Sequence, residues 1–167
     1  MFLDTFVTLK LKISMQILLF IHSLLRWLVL SSIIYALFRA YLGLKNQTIF
    51  SKTDNSVRHW TATIAHIQLI VGINLYIKSP TVKYFSSNFK QAIQHVEFTF
   101  FGLIHILLML IAIIVLTIGS ALTKRRKSDE EKYKTMLVWF SLALFIIFIA
   151  IPWPFSPLAH RPLFRQF

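Results

Sequence analysis

A chain of 167 residues that is 56% hydrophobic, with a mean hydropathy of +0.66, has too little polar surface to be a soluble domain of that length. Its net charge of +12, from 18 Lys+Arg against 6 Asp+Glu, is carried beside apolar stretches, which points to lipid headgroups rather than nucleic acid. The absence of Cys excludes disulfides, thiolate metal sites and covalent haem attachment.

Four stretches reach the roughly 20 apolar residues that a helix needs to cross about 30 Å of hydrocarbon. Residues 1–14 are apolar and basic and are expected at the membrane interface. No small-residue cleavage site follows them, so they do not read as a signal peptide. The first span, about 14–41, contains His22 and Arg26. A polar loop, 43–56, leads to the second span, about 57–77, which carries His66 and stops at Lys78-Ser79-Pro80. Residues 79–96 mix Tyr84, Phe85, Phe89 and Ile93 with Lys and Gln, and predict an interfacial connector. The third span, about 97–122, contains His105 and ends at the basic run Lys124-Arg125-Arg126-Lys127. Ser128 with Glu131 has the spacing of a capping box and predicts a helix that begins before the fourth span, about 134–151. Pro152-Trp153-Pro154 then breaks that helix, and a short amphipathic tail follows. The expected fold is an all-α integral membrane protein: one membrane domain, a four-transmembrane-helix up-down bundle.

Orientation follows from the basic residues. Arg39, Lys45, Lys52, Arg58, Lys124, Arg125, Arg126, Lys127, Lys132 and Lys134 lie toward the 1–2 and 3–4 loops, and Lys10, Lys12, Lys78, Lys83, Lys90, Arg161 and Arg165 toward the opposite side. The positive-inside rule puts the two loops in the cytoplasm and both termini outside.

Ionisable groups inside a span are costly and mark function by default. At ~1.5 Å per residue, His22 falls roughly 9 Å, His105 roughly 12 Å and His66 roughly 18 Å from the outer ends of their helices. Three histidines from three helices therefore share the outer half. Imidazole is a common axial ligand of haem iron, and a four-helix bundle is a common place to hold one. His22 with His105 matches best in depth, and His66 with His105 is the alternative pair; interhelical hydrogen bonding accounts for any one of the three taken alone. Arg26, four residues after His22, projects from the same face. It either pairs with a haem propionate or snorkels to a carbonyl. Gly102, one turn before His105, leaves room for a flat macrocycle. His59, His95 and His160 read as interfacial, and Gln68 and Asn74 as helix-packing groups. Gly72, Ala112 and Gly119 need only packing to explain them.

The segments HSLLRW (22–27), AHIQLIVGINLY (65–76), IHILLMLIAIIVLTIG (104–119) and IPWPF (151–155) resemble those of small bacterial four-helix membrane proteins of the cytochrome b or cytochrome b561-like kind. The resemblance covers most of residues 16–155. It implies a bacterial inner (plasma) membrane protein binding haem b non-covalently, with His22, His66 and His105 at the recurrent histidine positions and two of them on the iron. A glutamate commonly precedes the third histidine in that group, whereas here Ile104 does. The function so implied is electron transfer between the quinone pool and an outer-face redox partner, rather than stand-alone enzymatic activity. A cofactor-free accessory or assembly subunit of a larger membrane complex is the alternative, and a three-histidine site for Cu or Zn is a third reading.

Overall fold

The computed structural model describes residues 13–159 and 161–163, together with the backbone of 2–12. The lead expected at 1–14 is helical from Phe2 and continuous with the first span, its side chains before residue 13 lying outside the described residues, as does His160. The helices are α1 (Phe2–Lys45), α2 (Lys52–Lys78), α3 (Pro80–Ser87), α4 (Phe89–Ala92), α5 (Val96–Thr99), α6 (His105–Arg125) and α7 (Asp129–Ala150), with a π-helical turn at Phe100–Ile104 joining α5 to α6. Four segments are long and apolar enough to cross a membrane: Ile13–Lys45, Lys52–Lys78, Val96–Arg125 and Asp129–Ala150. The protein is a multi-pass all-α membrane bundle.

The helix ends lie where local chemistry puts them, and extend beyond the apolar spans read from sequence. Helix α1 runs to Lys45 and closes with Thr48 N–H on the Gly43 carbonyl (3.0 Å) and Gln47 N–H on that of Leu44 (3.4 Å). Gln47 takes the left-handed conformation (φ 51°) that this C-terminal closure requires. Helix α2 begins five residues before the expected 57, because Ser51 and Asp54 form a reciprocal capping box. Ser128 likewise accepts from Glu131 N–H, so α7 starts at Asp129, well before its apolar part; only this half of the expected box forms. Residues 79–96 fold into the short helices α3 and α4, α3 being opened by Pro80 behind the Ser79 cap.

One spacing organises the interior. Buried residues recur at alternating steps of three and four: Val29, Ile33, Ala36 and Ala40 on α1; Ala112, Leu116, Gly119 and Thr123 on α6; Tyr133, Met136, Phe140, Ala143, Ile147 and Ala150 on α7. On α2 the same steps run through Asp54, Arg58, Thr61 and Ala65. This is the seam of a left-handed antiparallel bundle. Helix α1 packs on α2 and α7, and α6 packs on α7 and α2, so α1 faces α6 across a diagonal. The opposite faces, with Ile70, Val138 and Phe145 exposed, meet lipid.

At the end that carries the 46–51 and 126–128 loops, here the basic end, the seam closes on a polar clamp. The Asp54 carboxylate, 1% exposed, receives Arg39 (2.7 Å), Ser51 N–H (2.9 Å) and the Ser51 hydroxyl (2.6 Å), and has the Tyr133 hydroxyl at 2.9 Å. Arg58 donates to the Ser120 carbonyl and hydroxyl on α6 and to Asn55 on its own helix. Thr61 donates to the Ser32 carbonyl of α1 at 3.2 Å. The clamp thus fastens all four membrane helices to one another.

Candidate functional site

Extending the seam toward the other end, the connector end, places the functional side chains. The same steps give His22 and Arg26 before Val29 on α1, Gln68, Gly72 and Leu75 after Ala65 on α2, and His105 and Met109 before Ala112 on α6. Polar and small residues here replace the apolar ones that fill the bundle lower down. The result is a cavity of about 300 Å³, lined by His22, Arg26, Gln68, Gly72, His105 and Met109 and closed on the α7 side by Ile147 and Ile151. A water claims about 30 Å³, so this space suits an organic ligand rather than a single water or ion.

Across the α1–α6 diagonal the rings of His22 and His105 stand 6.5 Å apart, centroid to centroid, with planes at 70°. His105 is held from both sides. Its Nδ1 lies 2.8 Å from the carbonyl of Ala150. That carbonyl ends α7 and lacks an intrahelical partner, because the residue four places on is Pro154, which brings no N–H. A carbonyl has no hydrogen to give, so Nδ1 carries the proton and Nε2 keeps its lone pair. Phe100 and Phe101 flank the ring at 5.7 and 6.3 Å. His22 is held more loosely. Its Nδ1 is buried without a partner, and its Nε2 meets only the Gln68 amide at 3.4 Å. That amide donates instead to the His22 carbonyl at 3.0 Å.

Arg26 reaches the mouth of the cavity, where it donates to the Leu163 carbonyl and, at 3.4 Å, to Ser23. The tail residues 161–163 are therefore folded over the opening. Trp27 donates to the same Leu163 carbonyl at 3.2 Å, and Arg161 pairs with Glu97 and lies 4.7 Å above the ring of Phe101. Among the described residues, the buried side-chain polar atoms without a partner are His22 Nδ1, Arg26 Nε and Gln68 Oε1. All three residues line this one cavity. Each orphan costs about 1–3 kcal/mol.

Of the residues singled out from sequence, His22, Arg26 and His105 come together here and His66 does not. His66 follows Ala65 and so sits one position off the seam; it is exposed, with Nδ1 on the Ala62 carbonyl at 2.7 Å and Nε2 3.2 Å from the Thr117 hydroxyl of α6. Gly102 requires a correction. The space its Cβ would take is filled by the Phe85 ring, 2.4 Å away, so this glycine admits the connector rather than a macrocycle. Gly72 is the glycine beside the histidines: a Cβ there would lie 3.3 Å from His22 Cε1. Gln68 belongs to the site, and its place on the seam is the signal that identifies it. Asn74 bonds the Ile70 carbonyl of its own helix rather than a neighbour.

The donor set fits a haem b on two grounds. Two metal–imidazole bonds of about 2.0–2.1 Å, plus the distance from each nitrogen to its ring centre, separate coordinated rings by roughly 6.3 Å, close to the observed spacing. Arg26 and Arg161 at the mouth supply charge for propionate carboxylates. A bare ion held by three or more His, Asp or Glu side chains has no such site among the described residues. No family model, curated protein or solved structure matches the chain.

Proposed function

We propose that this protein is a membrane-embedded b-type haem protein that transfers electrons, with His22 and His105 as the residues that would hold the iron. The observation that carries the reading is the 6.5 Å separation of two imidazoles across the bundle diagonal, in a cavity lined by all three residues that, among those described, leave a buried side-chain polar atom unmet. The haem, when bound, supplies one-electron chemistry. The chain's own residues do the rest. Ala150 fixes the tautomer and direction of His105, so that Nε2 faces its task without reorganisation. Arg26 and Arg161 offer guanidinium donors at the mouth and orient an anionic edge toward it. Val29, Ile113, Ile147 and Ile151 keep water from the inner side of the site.

In this reading the basic end is cytoplasmic and both termini are outside, as the distribution of Lys and Arg supports, and the membrane is the bacterial inner membrane that the resemblance implies. Electrons pass in this reading between the quinone pool and an outer-face partner, which a cavity lying toward the connector end supports. A dithionite-reduced minus air-oxidised spectrum of detergent-purified protein tests the proposal. A sharp α-band of b-type haem is expected, lost in His105→Ala and retained in His66→Ala. A flat spectrum from protein expressed with added haem would refute it and leave the accessory-subunit alternative.

A further inference from the structure

The two histidines are not equivalent, and the difference has a chemical consequence. His105 is fixed at its ring by Ala150 and at its backbone by the π-helical turn, where its N–H bonds the Phe100 carbonyl five residues back. That turn is itself locked, because Tyr76 donates to the Gly102 carbonyl at 2.7 Å and Phe85 fills the place of the missing Cβ. The carbonyl partner is equally secure: Trp153, just beyond it, is buried and donates from its indole to the Phe148 carbonyl at 2.8 Å. None of this exists at His22. No carbonyl or carboxylate meets its Nδ1, the Gln68 contact to Nε2 is at the limit of a hydrogen bond, and its neighbour on α2 is Gly72, which offers the ring no polar group. Such ring anchors set ligand orientation and basicity and are worth about 10–100-fold in metal affinity.

We propose that His105 is the permanent axial ligand and His22 the exchangeable one, so that a diatomic ligand such as carbon monoxide or nitric oxide enters on the His22 side, beside the Gln68 amide. This rests on the haem reading above. With haem bound, His105 would hold the iron throughout and His22 would yield its place to the incoming molecule, a ligand-for-ligand replacement without change of oxidation state. Gln68, whose amide already reaches His22, is then placed to donate to the new ligand.

The test is carbon monoxide binding to the dithionite-reduced full-length protein in lipid nanodiscs, followed by its Soret shift, alongside nitrogen-15 spectra of histidine-labelled protein purified without haem. The reduced haem form is expected to take up carbon monoxide. His22→Ala should bind it faster than the parent, since no ligand has to leave, and Gln68→Leu should release it faster than the parent. Haem-loaded protein that ignores carbon monoxide, or whose uptake is unchanged by both substitutions, overturns the proposal while leaving the haem reading intact. If the protein carries no haem at all, the haem reading fails and the nitrogen-15 spectra decide the asymmetry. His105 should show a single Nδ1–H tautomer and His22 an averaged one; two equally fixed rings, or the reverse order, would overturn it.

Discussion

The two ends of the bundle use the same seam and reach opposite results. At the basic end the seam carries Asp54, Arg58 and Thr61, and their polar groups find partners on neighbouring helices, on α2 itself and at its cap. At the connector end it carries His22, Arg26, Gln68 and His105, and three of these leave a buried polar atom unmet around a cavity. Polarity inside a membrane bundle is therefore not in itself a mark of function. A saturated network binds helices together, whereas an unsaturated one in the same register is prepared for something else.

That contrast can be broken in order of expected effect. Asp54→Ala should be the most damaging, because it strips four partners of a buried carboxylate. A loss of about 2–4 kcal/mol is expected in detergent unfolding, less than for a fully enclosed pair because Arg39 is partly exposed. Haem content per folded molecule should be unchanged. Gly43→Ala comes next. Its Cβ would lie 2.2 Å from the Tyr133 ring, which cannot retreat while its hydroxyl is held, so overpacking of about 1–3 kcal/mol should appear as a lowered unfolding midpoint. Gln68→Leu should be the mildest, since it removes one orphaned oxygen together with one hydrogen bond worth roughly 0.6 kcal/mol in a membrane. Its stability should move by less than about 1 kcal/mol. A large loss there would mean that the connector end is a structural clamp like the basic one.

The four spans and the up-down fold were readable from hydropathy alone, because lipid forces apolar runs to be long and helical. So was the common level of His22 and His105, whose rings the structure brings together, at a fixed rise per residue. Azimuth was not read from depth. His66 shares the outer half but lies one residue off the seam that passes through Ala65, and that single step turns it about 100° away from the cavity. Gln68, by contrast, lies on the seam three residues later, so the spacing would have found it. The Ala150 carbonyl and the Phe85 ring in the Gly102 notch are contacts between distant segments, and no local pattern encodes them. The start of α2 was legible in principle from Ser51 and Asp54, a capping pair in which Asp stands where Glu or Gln is usual.

The central claim is that one haem sits between His22 and His105. The most direct measurement is the haem-to-chain ratio, by pyridine haemochromogen, of the parent, His66→Ala and the double variant His22→Ala/His105→Ala, each purified in detergent and shown to be folded by circular dichroism. A ratio near one in the parent and in His66→Ala, falling to zero in the folded double variant, is the result expected. Haem retained by the double variant, or lost from His66→Ala, would contradict the claim.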